Sequence, residues 1–236
     1  MSDDKLYFQF GLTKAFACNY LAQQQERLIV ITNSELLNDE NYQRLLASGF
    51  RRSGDQVYKP HCEQCNACES IRLPVKDFKP SKSQKRIIAT NKDLSLQLSH
   101  EAKPEYFDLY KRYIDTVHQD GTMFPANKEQ YQGFIFSSKI SQLFIEIYLE
   151  DKLVSVAVCD SLPNALSALY TFYDPTLAKR SLGKFSIIKQ IEICQLLSKD
   201  LLYLGYQIDE CDKMNYKKQY KPHQRLNNDL WVSTNK

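Results

Sequence analysis

Residues 141–208 constrain the fold more than any other part of the chain. "SQLFIEIYLEDKLVSVAVCDSL" (141–162) is rich in β-branched and apolar residues and breaks at Glu150-Asp151-Lys152, so it reads as two strands and a tight connection. "ALSALYTFYDP" (165–175) reads as a third strand, closed by Asp174-Pro175. "RSLGKFSIIKQIEICQLLSKD" (180–200) follows as a loop and a helix, with Ile187, Ile191 and Cys194 on one face. "LLYLGYQI" (201–208) is a further strand. Upstream, "KPEYFDLYKRYIDTVH" (103–118) places Phe107, Tyr110, Ile114 and Val117 at helical spacing behind Pro104, and "NKEQYQGFIF" (127–136) suggests a second helix. The expected fold class is therefore α+β, with an antiparallel sheet flanked by helices.

Helices, three antiparallel strands, a loop, a helix and a strand are the element order of GNAT-type acyltransferases. In those folds a loop leads into a helix whose first amides can face an anionic group. "RSLGKF" (180–185) stands at that turn. Topology of this kind hosts many functions and assigns none alone.

The first half reads less regularly. "RLIVIT" (27–32) and "SIRLPV" (70–75) suggest short strands, and the basic, proline-containing "FKPSKSQKR" (78–86) suggests a connector. The expected division is a cysteine-containing N-terminal region over 1–90 and a catalytic domain over 91–236. The 236 residues suffice for a sizeable core, and 43% hydrophobic with 25% charged residues is a globular composition. No apolar run reaches the ~18–20 residues that cross a bilayer. The start, "MSDDKLYFQFGL", has acids and no basic segment ahead of an apolar one, so no secretory leader is expected.

Net charge is only +3, but its distribution is uneven. "KDFKPSKSQKRIIATNK" (76–92) holds six Lys/Arg and one acid, and "ECDKMNYKKQYKPHQR" (210–225) holds five Lys/Arg and two acids around Tyr216 and Tyr220. Basic runs with interleaved aromatics suit a phosphate backbone, and a solvated lysine face explains them equally well.

Cys62, Cys65 and Cys68 form a C-x2-C-x2-C array, with His61 adjacent and Cys18 distant. Three thiolates at this spacing, completed by Cys18 or His61, would suit zinc or an iron–sulfur cluster; a reduced, metal-free turn is the competing reading. Cys159 and Cys194 read as core thiols. His118 and Asp120 in "HQDG" read either as an acid–base pair or as a helix end followed by an Asp-Gly turn. Neither a P-loop nor a G-x-G-x-x-G motif is present, which disfavours ATP-driven chemistry and leaves transfer from an activated donor.

Taken in order, "CNYL", "GFRRSGDQVYKPHCEQCNACESIRLPV", "FKPSKSQKR", "HQDGTM", "LSALYTFYDP", "RSLGKFSIIKQIE" and "LYLGYQIDECDKMNYKKQYKPH" resemble the aminoacyl-tRNA–protein transferases. The chain is most similar to the short bacterial branch of that family. The resemblance implies a GNAT-like catalytic domain in the cytoplasm. It also implies transfer of leucine from Leu-tRNA to the α-amino group of proteins that begin with Asp or Glu, which marks them for degradation. No cofactor is implied for the chemistry. Arginyl transfer is the alternative within the family, and a non-catalytic metal-ribbon RNA-binding protein is the alternative outside it.

Residue roles follow from the same resemblance. Arg51 and Arg52 would bind the acidic side chain or the tRNA end, and Tyr170, Tyr173 and Asp174 would line the pocket, with Asp174 positioning the α-ammonium. Ser181, Leu182 and Gly183 would offer amides to the aminoacyl end. Lys213, Tyr216, Lys217 and Lys218 would contact the acceptor stem, joined by Lys82, Lys85 and Arg86. In related arginyl enzymes the N-terminal cysteines can hold an iron–sulfur cluster, which would fall here on Cys18, Cys62, Cys65 and Cys68.

Overall fold

The computed structural model describes residues 7–234. The acidic segment 1–6, part of the start considered above, lies outside the described residues. The chain begins with β1 (Phe10–Leu12), β2 (Phe16–Ala17), β3 (Gln25–Glu26), β4 (Leu28–Ile31), α1 (Asp39–Ala47), β5 (Arg51–Ser53) and β6 (Gln56–Pro60). There follow β7 (Glu69–Pro74), α2 (Lys82–Thr90), β8 (Leu94–Ser99), α3 (Glu105–Val117) and α4 (Lys128–Ile135). The last part runs β9 (Gln142–Leu149), β10 (Lys152–Leu162), β11 (Ala165–Tyr173), α5 (Leu182–Leu196), β12 (Leu201–Gln207), β13 (His223–Asn227) and β14 (Leu230–Thr234).

An eight-stranded sheet in the order β14-β13-β7-β12-β11-β10-β9-β8 forms the centre of the molecule. Its pairs are antiparallel except β11–β12, which is parallel and crossed over by α5. A four-stranded sheet, β1-β4-β6-β5, and the β2–β3 hairpin complete the strands. The fold is thus mixed α+β, as expected.

Both faces of the central strands are covered, which explains their near-continuous apolar sequence. On β9, Leu143 and Ile145 pack with Ile188 and Ile191 of α5, while Phe144 between them packs on the opposite face with Tyr106, Tyr110 and Ile114 of α3. A third cluster joins Tyr42, Leu45 and Leu46 of α1 to Leu162, Ala165 and Tyr203 at one end of the sheet.

Two local differences from the sequence reading stand out. The segment 78–86 is not a connector: α2 starts inside it, because Ser81 accepts from the Gln84 amide and Gln84 returns a bond to the Ser81 amide. This capping box fixes two amides that a polar linker would leave to water. Regions 1–90 and 91–236 also share the large sheet, since β7 lies between β12 and β13.

Candidate active site

The site grows from a defect in strand pairing. β11 and β12 pair only at Ala165–Ser167 with Leu201–Tyr203, and then part. Two irregularities accompany the divergence. Val158 faces Tyr170 whereas Cys159 faces Ala168, which makes Leu169 an extra residue in β11. On β12 the register against β7 shifts at Gly205, whose φ of +85° favours glycine. Bulges of this kind re-aim the side chains that follow.

Side chains from elsewhere fill the gap. Arg51, on β5, donates to the Ala168 carbonyl at 2.5 Å and to Ser167 Oγ at 3.0 Å. Its guanidinium lies over Gly205, where a Cβ would stand 3.6 Å away. Lys217 donates to the Tyr206 carbonyl of β12, with Met214 Sδ at 3.5 Å. Arg51 is 7% exposed and Lys217 6%. Burial, and then the nearby charge of Arg51, push the Lys217 ammonium down to about 7.

Above the gap stands an aromatic wall. The Tyr113 and Tyr173 rings are 4.7 Å apart, and Tyr170 lies within aromatic contact of Tyr110 and Phe134. Burial, and then neighbouring phenols, raise Tyr113 and Tyr170 above the usual tyrosine range. His118 Nε2 lies 3.0 Å from the Tyr113 hydroxyl. Burial, and then Lys213, lower His118 below its ordinary value, with Asp120 opposing. This shift favours the uncharged imidazole, which can accept a hydrogen bond from the Tyr113 hydroxyl in the tautomer that leaves Nε2 bare.

The N-terminus of α5 borders the same wall. Ser181 precedes it at φ 53° and makes no side-chain cap. The first amides of the helix thus keep their partial positive charge. A Cβ on Gly183 would stand 3.2 Å from Tyr173 Cε1, so glycine lets the ring lie against the helix end. Tyr220 anchors this corner by donating to the Lys184 carbonyl at 3.3 Å.

The structure thus brings together Arg51, Tyr170, Tyr173, Ser181, Leu182, Gly183, Tyr216 and Lys217 around one splayed strand pair. It corrects several expectations. Arg52 does not face the site: its side chain and that of Asp160 are both 0% exposed and pair at 2.5 Å, and Arg52 also bonds the Gly54 and Ile135 carbonyls. Asp174 is turned into the fold, where it accepts from Lys152 at 2.7 Å and from the Thr176 amide at 3.0 Å. Burial would raise that carboxyl, but the bonds from Lys152 and Thr176 hold it below the usual range.

Of the expected tRNA contacts, Lys217 is buried, Lys213 pairs with Asp120 at 2.6 Å and Lys218 with Asp209 at 3.1 Å. Lys82, Lys85 and Arg86 are exposed on α2. Gln84 of that helix bonds the Gln219 carbonyl beside Lys218, at 3.4 Å. Asp120 pairs with Lys213, while His118 engages Tyr113 instead. The sequence reading did not single out Tyr113 within the helical segment 103–118, nor the burial of Lys217. The glycine in the middle of "LYLGYQI" was the available signal for an irregular β12.

The four N-terminal cysteines are free and half-buried. All line a cavity of about 380 Å³, together with Glu26, His61 and Tyr206. Burial, and then the other three thiols, push Cys68 up to about 12. They do not form a ligand set: among the described residues, no three His, Cys, Asp or Glu stand where they could hold one metal ion. Cys18 Sγ instead accepts from the Tyr20 amide at 3.4 Å.

Comparison with known proteins decides the family. The model described as "Arginine-tRNA-protein transferase, C terminus" matches residues 105–227, and its N-terminal companion matches 16–86. The aspartate/glutamate leucyltransferase of Pseudoalteromonas atlantica is 50% identical over 94% of this chain and 96% of that protein. The chain belongs to the aminoacyl-tRNA–protein transferase family. A second relative, the aspartate/glutamate leucyltransferase of Aeromonas hydrophila, is 47% identical over 97% of this chain and 96% of its own length. Among solved structures, FemX aligns with a TM-score of 0.47 and 7% identity, covering 87% of this chain and 81% of its own. As a member of the family, the protein is a transferase.

Proposed function

We propose that this enzyme transfers leucine from Leu-tRNA to the α-amino group of proteins beginning with Asp or Glu. In this reading it works in the cytoplasm, on a GNAT-like core, and its products enter N-degron degradation. Residues 1–90 supply the floor of the site through Arg51, and 91–236 supply its wall. The observation that carries the reading is the gap between β11 and β12 with its tyrosine wall. Three acids near it are already paired: Asp174 with Lys152, Asp120 with Lys213 and Asp209 with Arg225. An aromatic wall suits a leucyl side chain, whereas a guanidinium would need an unpaired carboxylate.

The chemistry asks little of the protein. An aminoacyl ester is activated already, and its conversion to an amide runs downhill. The amine nitrogen bonds to the ester carbonyl carbon, the carbon–oxygen bond to the tRNA ribose breaks, and the ribose oxygen leaves with a proton. Holding the two reactants together provides much of the acceleration. The first amides of α5 are suited to the oxyanion of the tetrahedral intermediate. In this proposal Tyr173 and Tyr113 pass the amine's proton to neutral His118. The proposed chemistry draws on no metal or other cofactor.

Incubation with Leu-tRNA or Arg-tRNA, each charged with labelled amino acid, and peptides starting with Asp, Glu, Arg or Ala tests this. The expected result is leucine on the Asp and Glu peptides alone. Arginine transfer without leucine transfer would replace the donor, and no transfer to any peptide would end the reading.

A further inference from the structure

Arg51 and Lys217 are buried basic side chains without a counter-ion. Each is more than nine-tenths buried, and neither has a carboxylate oxygen within 4 Å among the described residues. Their bonds run to neutral groups: Ser167 Oγ and the Ala168 carbonyl for Arg51, the Tyr206 carbonyl and the Met214 sulfur for Lys217. The titratable groups that face them are the phenols of Tyr42, Tyr58 and Tyr206 and the thiols of Cys68, Cys159 and Cys211. The nearest acids are committed or lie elsewhere. Asp160 is held by Arg52, and Glu26 acts on Cys68 and Tyr58 from the thiol cavity.

Burying a charge without a partner is costly, and carbonyl dipoles offset only part of that cost. The two cations also repel one another. By contrast, Arg52 one residue away has a full counter-ion in Asp160. The uncompensated pair lies where β11 and β12 separate, one cation bonded to a carbonyl of each strand. A carboxylate brought to that point would meet both.

We propose that Arg51 and Lys217 jointly read the acidic side chain of the acceptor's first residue, making Lys217 a specificity-determining residue rather than a tRNA contact. This rests on the acceptor class proposed above. An Asp or Glu side chain supplies the missing negative charge, whereas Asn or Gln supplies the same shape without it. Discrimination therefore comes from basic groups already in place, with Lys217, pushed down to about 7, taking up its proton fully as the carboxylate arrives.

The test compares kcat/KM for peptides beginning with Asp and Asn, with Leu-tRNA as donor, in wild type, Lys217→Met, Lys217→Arg and Arg51→Lys. The Asp-to-Asn ratio is independent of the fraction of enzyme that is folded, so a destabilised variant remains informative. Lys217→Met is expected to lower the ratio at least about tenfold, the scale of a lost charge-assisted contact. Arg51→Lys is expected to lower it too, and Lys217→Arg to retain much of it, with the KM for Leu-tRNA unchanged in all three. A Lys217→Met enzyme with the wild-type ratio, or one that loses only Leu-tRNA affinity, overturns this inference and leaves the transferase reading standing. Absence of transfer by wild type overturns both.

Discussion

A proton passed from Tyr113 to His118 would leave a mark on the pH profile. The acceptor α-amine must itself be neutral, so the rate falls with slope one below its pKa of about 7.7–8. If His118 takes the proton, protonation of its ring adds a second slope at lower pH. That break lies below 6.5, because burial and then Lys213 depress the imidazole. Single-turnover rates should therefore fall with slope two below the break in wild type, and with slope one throughout in His118→Gln. Lys213→Met should move the break upward and Asp120→Asn should move it downward. Identical profiles for wild type and His118→Gln would remove His118 from the proton path. The residue scale is also where sequence reading went furthest astray. Arg51 and Arg52 were indistinguishable as "RR", yet successive strand residues point to opposite sides. One enters the strand gap and the other is locked to Asp160. Only the placement of β5 against the large sheet tells them apart, and nothing local to the motif encodes it.

Among the elements, β9, β10, β11, α5 and β12 were legible because their apolar runs are long and sharply bounded. α2 was not, since its helix signal is a single Ser-to-Gln capping box embedded in a basic, proline-flanked run. β13 and β14 were missed for a different reason. Their sequence "HQRLNNDLWVST" is polar, and it becomes strand only by adding to β7 at the sheet edge. The start of α5 offers a test in which helix stability and activity should diverge. Gly to Ala in a helix ordinarily stabilises by up to about 1 kcal/mol. At Gly183 the added methyl would stand 3.2 Å from the Tyr173 ring, closer than ordinary packing. Gly183→Ala should therefore hold or raise the thermal midpoint while lowering kcat several-fold, as the ring is pushed from the helix end. Wild-type kcat in this variant would mean that the Tyr173 position does not matter.

Across the whole molecule, one sheet joins both halves of the chain, so the floor and wall of the site are built from residues far apart in sequence. Arg51 and Ala168 are separated by 117 positions, and their contact requires both family regions to fold together. Charge is divided in a similar way. The basic run at 210–225 is largely consumed internally: Lys213, Lys218 and Arg225 hold carboxylates and Lys217 is buried. The run on α2 is different, because Lys82, Lys85 and Arg86 are exposed and enter no ion pair among the described residues. α2 also touches the 215–219 turn through Gln84 and packs against α5, so its basic face adjoins the aminoacyl end of the site. For a tRNA held by that face, each phosphate contact adds about 0.7–0.9 to the slope of log affinity against log salt. Replacing Lys82, Lys85 and Arg86 together by Ala should raise the KM for Leu-tRNA and flatten its salt dependence by about two slope units. The Asp-to-Asn preference should not change, because the acceptor's carboxylate is read in the gap below. An unchanged salt slope would put the acceptor stem on another face, and a changed preference would join two surfaces that the fold keeps apart.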